Sequence, residues 1–320
     1  MMMTEENRRM TRRGFLDGTL GMAGLAAVNG LPTLGAEPGK ARMKIACGTV
    51  TFRKQTLEEA LERIRRAGFE YVETQATGPW CPHVDTLKDD PQEFMRTVNK
   101  FGFKGVTGLW SLHGAIIPDA KSVEGITRTI KWAKEAGIPV VHAGDGRKPE
   151  ALSDADALKV LSERLAAILE VAEKCQVYLA IEPHGTFSLT ADGLNKIMAV
   201  SQSKWLGINY DTANVHRATY AETANGGYSW TPFGQRQDEV VTLKAVAGRV
   251  VHVHVKDVAG AKCTALGEGR VNLRGCLQVL KDRGYSGAVS LETEGDFGAE
   301  EGQRLIEASH RYLTRTLAEI

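Results

Sequence analysis

From residue 43 onward the chain alternates between two hydrophobic spacings. Short apolar or alternating runs, such as MKIACGTVTF (43–52), YVETQA (71–76) and VYLAIEPH (177–184), each precede a longer stretch with apolar residues at every third or fourth position. Leu57, Ala60, Leu61 and Ile64 make one such stripe, and Leu161, Leu165, Ile168, Leu169 and Ala172 make another, with charged residues between. The first spacing is that of buried strands, and the second is that of helices packed by one face. KGVTGLWSLHG (104–114), PVVHAGD (139–145), WLGINYDTANVH (205–216), VVHVHVKD (250–257) and GAVSLETEG (287–295) complete eight strand-then-helix units. Strands separated by helices pair in parallel, so eight units predict an α/β fold, a closed (β/α)8 barrel, as one catalytic domain over 43–320. An open doubly wound sheet is disfavoured because no GxGxxG follows the first strand.

Such a barrel carries its active site at the C-terminal ends of its strands. Successive side chains of a strand point to opposite faces, so in VVHVHVKD the residues Val251, Val253 and Val255 share one face and His252, His254 and Lys256 the other. The same test sends Tyr178, Ala180 and Glu182 inward, then Gly207, Asn209 and Asp211, then Ala288, Ser290 and Glu292. Glu182, Asp211, His254 and Glu292 therefore converge at the catalytic end. Three carboxylates brought together without a cation repel one another and resist ionisation. Three oxygens and one imidazole suit one divalent ion, Mn²⁺, Mg²⁺, Co²⁺ or Zn²⁺, with positions left open for substrate oxygens.

Composition narrows the partners. The chain is 42% hydrophobic and 25% charged with a net charge of +1, which gives no basic field for nucleic acid or anionic lipid. A small molecule is the expected partner. Five cysteines without CxxC spacing indicate neither a disulfide framework nor a zinc ribbon.

The N-terminus differs from the rest: Arg12 and Arg13 precede Phe15, Leu16 and a Gly/Ala-rich apolar stretch. This pattern predicts a twin-arginine export signal over 1–36, cleaved after Ala36, and a periplasmic or otherwise extracytoplasmic protein. Asp17 and several glycines interrupt the run and no lipid-attachment cysteine directly follows it, so no stable membrane anchor is expected.

GFEYVE (68–73), AIEPHG (180–185), NYDTAN (209–214), VHVHVKD (251–257), LGEG (266–269) and SLETE (290–294) occur in an order and spacing that resembles the xylose-isomerase-like TIM barrel superfamily. That group includes sugar isomerases and epimerases, ketose 3-epimerases, inosose dehydratases and apurinic-site endonucleases. The resemblance implies that Glu182, Asp211, His254 and Glu292 hold the metal and that Glu182 and Glu292 also move protons. His254 is then the ligand and His252, one layer deeper, a supporting residue. Many relatives have histidine three residues after the aspartate; here Asn214 stands there and histidine comes at His216, which argues against ketose 3-epimerase activity in particular.

His184, Asn214, Lys256 and Arg270 are the expected substrate contacts, joined by Trp110 and His113 near the mouth. Glu73 is expected to support a ligand from behind. The loop 217–237 is longer than is usual after a strand, and its Tyr228, Trp230 and Phe233, like Trp80, could cover a sugar or meet a second copy of the chain in a homo-oligomer. The function expected is that of a metal-dependent isomerase or epimerase on an unphosphorylated sugar or keto-sugar. A lyase or dehydratase acting on a 3-keto-glycoside or inosose shares the same first proton abstraction. A non-catalytic sugar-binding protein is the rival of another class, and abasic-site cleavage is disfavoured by neutral charge, export and too few histidines.

Overall fold

Eight parallel strands close on themselves in a computed structural model that describes residues 42–222, 228, 230, 232 and 234–320. The expected export signal and Phe233 lie outside the described residues. In chain order the strands are β1 (Lys44–Gly48), β2 (Tyr71–Gln75), β3 (Val106–Ala115), β4 (Val140–Gly146), β5 (Tyr178–Gly185), β6 (Leu206–Asp211), β7 (Val250–Val255), β8 (Asp257–Ala259), β9 (Lys262–Thr264) and β10 (Ala288–Leu291). The barrel runs β1-β10-β7-β6-β5-β4-β3-β2, every neighbour parallel, with β8 and β9 apart as an antiparallel pair. All described residues fall within one unit, Leu31–Ile320. Among them no helix is long and apolar enough to cross a membrane.

The helices start where the sequence supplies a cap. Thr56 and Glu59 form a reciprocal capping box before Leu57–Arg66, and the Ser153, Thr190 and Asn272 side chains accept from the first turns of Asp154–Cys175, Ala191–Ala199 and Leu273–Asp282. The stripes read from the sequence are buried: Ala60, Leu61 and Ile64 on one helix, and Leu161, Leu165, Ile168, Leu169 and Ala172 on another. They meet outward strand residues such as Leu179, Ile181, Ile208, Tyr210, Val253, Val255, Val289 and Leu291 in one continuous core.

Strict alternation fails at one place in β7. Ile208 pairs with Val250 but Asn209 pairs with His252, so Val251 is an extra residue on that strand. Val251 therefore does not share the outward face of Val253 and Val255. It lies in a separate small cluster with Val140, Tyr178 and Ala180, above Gly207, where a Cβ would come within 2.6 Å of its methyl group.

The β8–β9 hairpin was not expected from the pattern. Beside it, Asp257 accepts from the backbone N–H groups of Val258, Gly267, Gly269 and Val271. Much of the VKD…LGEG pattern is thus a tether that folds the loop after β7 back onto the barrel.

Candidate metal and acid–base site

At the C-terminal mouth, adjacent strands deliver their last inward residues to one point. Glu182 comes from β5, Asp211 ends β6, His254 lies on β7 and Glu292 follows β10. All four are buried, and one ligand atom from each can be chosen so that all lie within 4.8 Å of one another. His254 Nδ1 is 3.1 Å from Glu182 Oε2 and 3.2 Å from Glu292 Oε2. Asp211 divides its carboxylate: Oδ1 accepts from Ala213 and Asn214 N–H at 2.8 Å, capping helix Thr212–Arg217, while Oδ2 is left for the centre. Asp211 Oδ2 and Glu292 Oε2 are buried without an aligned hydrogen bond, although Lys256 Nζ approaches them at 2.9 and 2.7 Å. Three carboxylate oxygens and one imidazole, with two oxygens unspent on hydrogen bonds, fit a divalent cation.

Glu182 and Glu292 are pushed apart in acidity. Burial raises the Glu182 carboxyl above its ordinary value against the pull of His254, and Glu292 and Asp211 add to the rise. Burial acts on Glu292 too, but His254 and Lys256 outweigh it and hold that carboxyl well below the usual range. Both carboxyls face one cavity, an arrangement able to supply an acid and a base. Burial opposes protonation of His254, yet Glu292, Glu73 and Glu182 together raise it well above its ordinary value.

The cavity in front of the pair is lined by Gln75, Trp80, Trp110, His184, Asn214 and Glu294 besides Glu182 and Glu292. Trp110, His184 and Asn214 are thus at the site as expected. Asn214 donates weakly to Glu182 Oε1 at 3.4 Å and to the Pro183 carbonyl at 3.2 Å, and the His184 ring lies 5.0 Å from Trp110 and 3.9 Å from Tyr220. Lys256 stands differently from its expected role. Its ammonium is buried among Asp211, Glu292 and Glu294, neutralising carboxylates rather than lining the cavity.

Arg270 and His113 do not line this cavity. Arg270 is an exposed residue of the tethered loop. His113 has φ of +55° and turns its Nδ1 to Asp119 at 2.7 Å, packing near Gly125 instead. His216 likewise looks elsewhere, its Nδ1 meeting Glu239 at 2.8 Å. Tyr228 packs edge-on against Trp80 and is stacked parallel to Trp230, so two of the loop aromatics sit beside the mouth.

Behind the centre Glu73 accepts from His254 Nε2 at 2.7 Å. Asn209 joins the layers: its amide N–H₂ donates to Glu182 Oε2 at 2.9 Å and its carbonyl oxygen accepts from His252 Nδ1 at 3.0 Å. Gln75 donates to Glu292 Oε1 at 3.3 Å. Gln75, Asn209, Glu294 and His142 were not singled out from the sequence as functional, although each shares inward parity with a residue that was, or with a strand end.

A model of the xylose isomerase-like TIM barrel family matches residues 61–315. The chain belongs to that family. Within the family, this TIM barrel is 26% identical over 206 residues to the uncharacterized protein MJ1311 of Methanocaldococcus jannaschii, covering 62% of this chain and 65% of that protein. It is 23% identical over 262 residues to L-ribulose-5-phosphate 3-epimerase UlaE of Shigella flexneri, covering 78% of this chain and 87% of the epimerase. Among solved structures, a D-tagatose 3-epimerase-like protein superposes with a TM-score of 0.68 at 21% identity, over 86% of this TIM barrel and 97% of that chain.

Proposed function

We propose that the protein is a divalent-metal-dependent isomerase or epimerase acting on an unphosphorylated sugar or keto-sugar. The observation that carries this reading is the pair Glu182 and Glu292, both lining one cavity and grouped with Asp211 and His254 in a four-atom ligand set. Those four residues would hold the ion. A divalent ion bound there supplies Lewis acidity to a substrate carbonyl and its neighbouring hydroxyl.

The chain's own residues do the rest. One of the two glutamates, Glu182 or Glu292, takes the proton from the carbon beside the carbonyl, and the other returns one. Return to the opposite face of the same carbon inverts it, and return at the neighbouring carbon isomerises the sugar. Trp80 and Trp110 offer apolar walls for the ring's C–H faces, while Asn214, His184 and Gln75 face its hydroxyls. Among the described residues lining the cavity none is cationic, and an ionised Glu292 would repel a phosphate. This favours a neutral sugar over the phosphorylated substrate named for the Shigella relative.

Glu294 favours a second reading. Burial, offset by Lys256, raises its carboxyl to about 7, and it lines the same cavity. A third acid could protonate a leaving group, turning the same first step into elimination from a 3-keto-glycoside or inosose. Export through the twin-arginine signal is also proposed; it is supported by the Arg12-Arg13 pattern and the Gly/Ala-rich apolar stretch after it.

The test is incubation of the Mn²⁺-loaded protein in deuterium oxide with neutral ketoses and 3-keto-glycosides. Magnetic resonance should show deuterium entering beside the carbonyl, with Glu182→Gln and Glu292→Gln each slowing it by about 10²–10⁴-fold. Full turnover in either variant rejects the two-carboxylate mechanism. Sugar that binds and returns unchanged and unlabelled makes the protein a sugar-binding one.

A further inference from the structure

One layer below the acid–base pair lies a second group of potential ligands, Glu73, His142, His252 and His254, all buried and again with one atom each within 4.8 Å of one another. Glu73 and its bond to His254 explain part of this group, but not His142. That histidine is fully buried on β4, and neither of its ring nitrogens has a hydrogen-bond partner; Glu73 Oε2 has none either. Buried polar atoms are rarely left so, and each unpaired one costs about 1–3 kcal/mol.

The surroundings are shaped to hold His142 there. A Cβ at Gly108 would fall on its Nε2, so only glycine at that position leaves room for the ring. Its Nε2 is 3.9 Å from Glu73 Oε1, its ring is 4.5 Å from His252 and 5.3 Å from His254.

Tautomers follow from Asn209. Its N–H₂ is committed to Glu182, so its carbonyl oxygen faces His252 Nδ1, which must be the protonated nitrogen. In neutral His252 the lone pair is then on Nε2, 3.6 Å from Glu73 Oε2. His254 presents Nδ1 to Glu182 and Glu292 and Nε2 to Glu73 at 2.7 Å. Ligands about 2.0–2.1 Å from a tetrahedral ion stand roughly 3.3 Å apart. The observed 2.7, 3.6 and 3.9 Å separations bracket that value.

We propose that Glu73, His142, His252 and Nε2 of His254 form a second metal site, selective for a late divalent transition ion such as Zn²⁺, and that His254, releasing its Nε2 proton to solvent as the ion binds, bridges it as imidazolate to the ion above. Three imidazoles and one carboxylate suit zinc, cobalt or copper and not magnesium or calcium. A cavity of about 390 Å³ at the opposite end of the barrel, lined among others by Lys44, Tyr71, Lys104, Thr107, Val140 and His252, offers an approach other than the catalytic mouth.

The test is metal stoichiometry. Full-length protein is stripped with a chelator, dialysed against Zn²⁺, freed of excess, and its zinc per chain measured by mass spectrometry. The wild type should hold two ions, and His142→Gln one. Gly108→Ala, which displaces the His142 ring without removing it, should also hold one and serves if His142→Gln does not fold. A wild type that saturates at one ion, with that ion kept in His142→Gln, overturns the second site and leaves the proposed function standing. None at all overturns both readings, and two ions in the wild type and in every folded variant place the second ion elsewhere. Loading with Cu²⁺ reads the bridge directly: two ions per chain with an exchange-coupled spin-resonance spectrum are expected, and two independent spectra overturn the bridging role of His254.

Discussion

Asn209 shows how much one buried amide can decide. It donates to Glu182 and accepts from His252, so it sets the carboxyl's orientation and the histidine's tautomer at once. Asn209→Leu keeps the volume and removes both bonds. The loss should be about 1–3 kcal/mol for each group left unpaired, measured by urea unfolding, together with a drop in exchange activity. His142 gives a prediction with a definite sign. Burial lowers its pKa to about 4, assisted by His254 and opposed by Glu73 and Glu292. An unfolded histidine titrates near 6.5, so between those values the unfolded chain takes up a proton that the folded chain refuses. This contribution is fully present above pH 6.5 and lost as pH falls toward 4, amounting to on the order of 3 kcal/mol. In chelator-treated protein, urea midpoints should fall more steeply over that range for the wild type than for His142→Phe; parallel slopes would show that His142 is protonated in the fold. Parity along a strand made Glu182, Asp211, His254 and Glu292 legible in the sequence. It could not place His113 or Arg270, because closeness to a strand end does not fix direction: a positive φ turns the first aside and a tethered loop exposes the second.

Among the elements, β7 departs most from simple alternation, and the extra residue has a purpose in packing. Val251 fills the barrel's lower interior against Val140, Tyr178 and Ala180, while His252 and His254 keep their inward places above it. Gly207 on β6 is the other half of that arrangement, since an added methyl would meet Val251 at 2.6 Å and the Arg249 carbonyl at 3.1 Å. Gly207→Ala should therefore destabilise by about 1–3 kcal/mol through overpacking. Val251→Ala should cost stability on its own by leaving a void, but the double variant should recover part of the sum, because the new methyl occupies the space vacated. Simple additivity in a urea-unfolding cycle would mean the two side chains do not share that space. Long strand and helix runs were readable because each repeats its period several times. The bulge was not, since one residue of offset leaves the valine pattern of VVHVHV unchanged. Nor was the β8–β9 hairpin, whose three-residue strands are too short to show a period.

At the scale of the molecule the four upper ligands lie on neighbouring staves of the barrel, in the order β10, β7, β6, β5. These segments are separated in sequence by as much as Glu182 is from Glu292, so a bound ion closes long loops that unfolding would release. The folded state does not depend on the ion for charge balance: Lys256 already sits among Asp211, Glu292 and Glu294, and His254 among Glu73, Glu182 and Glu292. The barrel should accordingly fold without metal and gain stability by mass action when metal is added. At a free concentration about a thousandfold above the dissociation constant the gain is about 4 kcal/mol. At roughly 2–4 °C per kcal/mol for a domain somewhat smaller than this one, that raises Tm by on the order of 10 °C. Calorimetric scans with Mn²⁺ or Zn²⁺ against chelator should show Tm climbing with the logarithm of metal concentration. His254→Ala, which removes the imidazole common to both ligand groups, should flatten that climb. A wild-type Tm indifferent to metal would mean that the carboxylates are held by Lys256 alone, leaving no place for the ion on which the proposed chemistry relies.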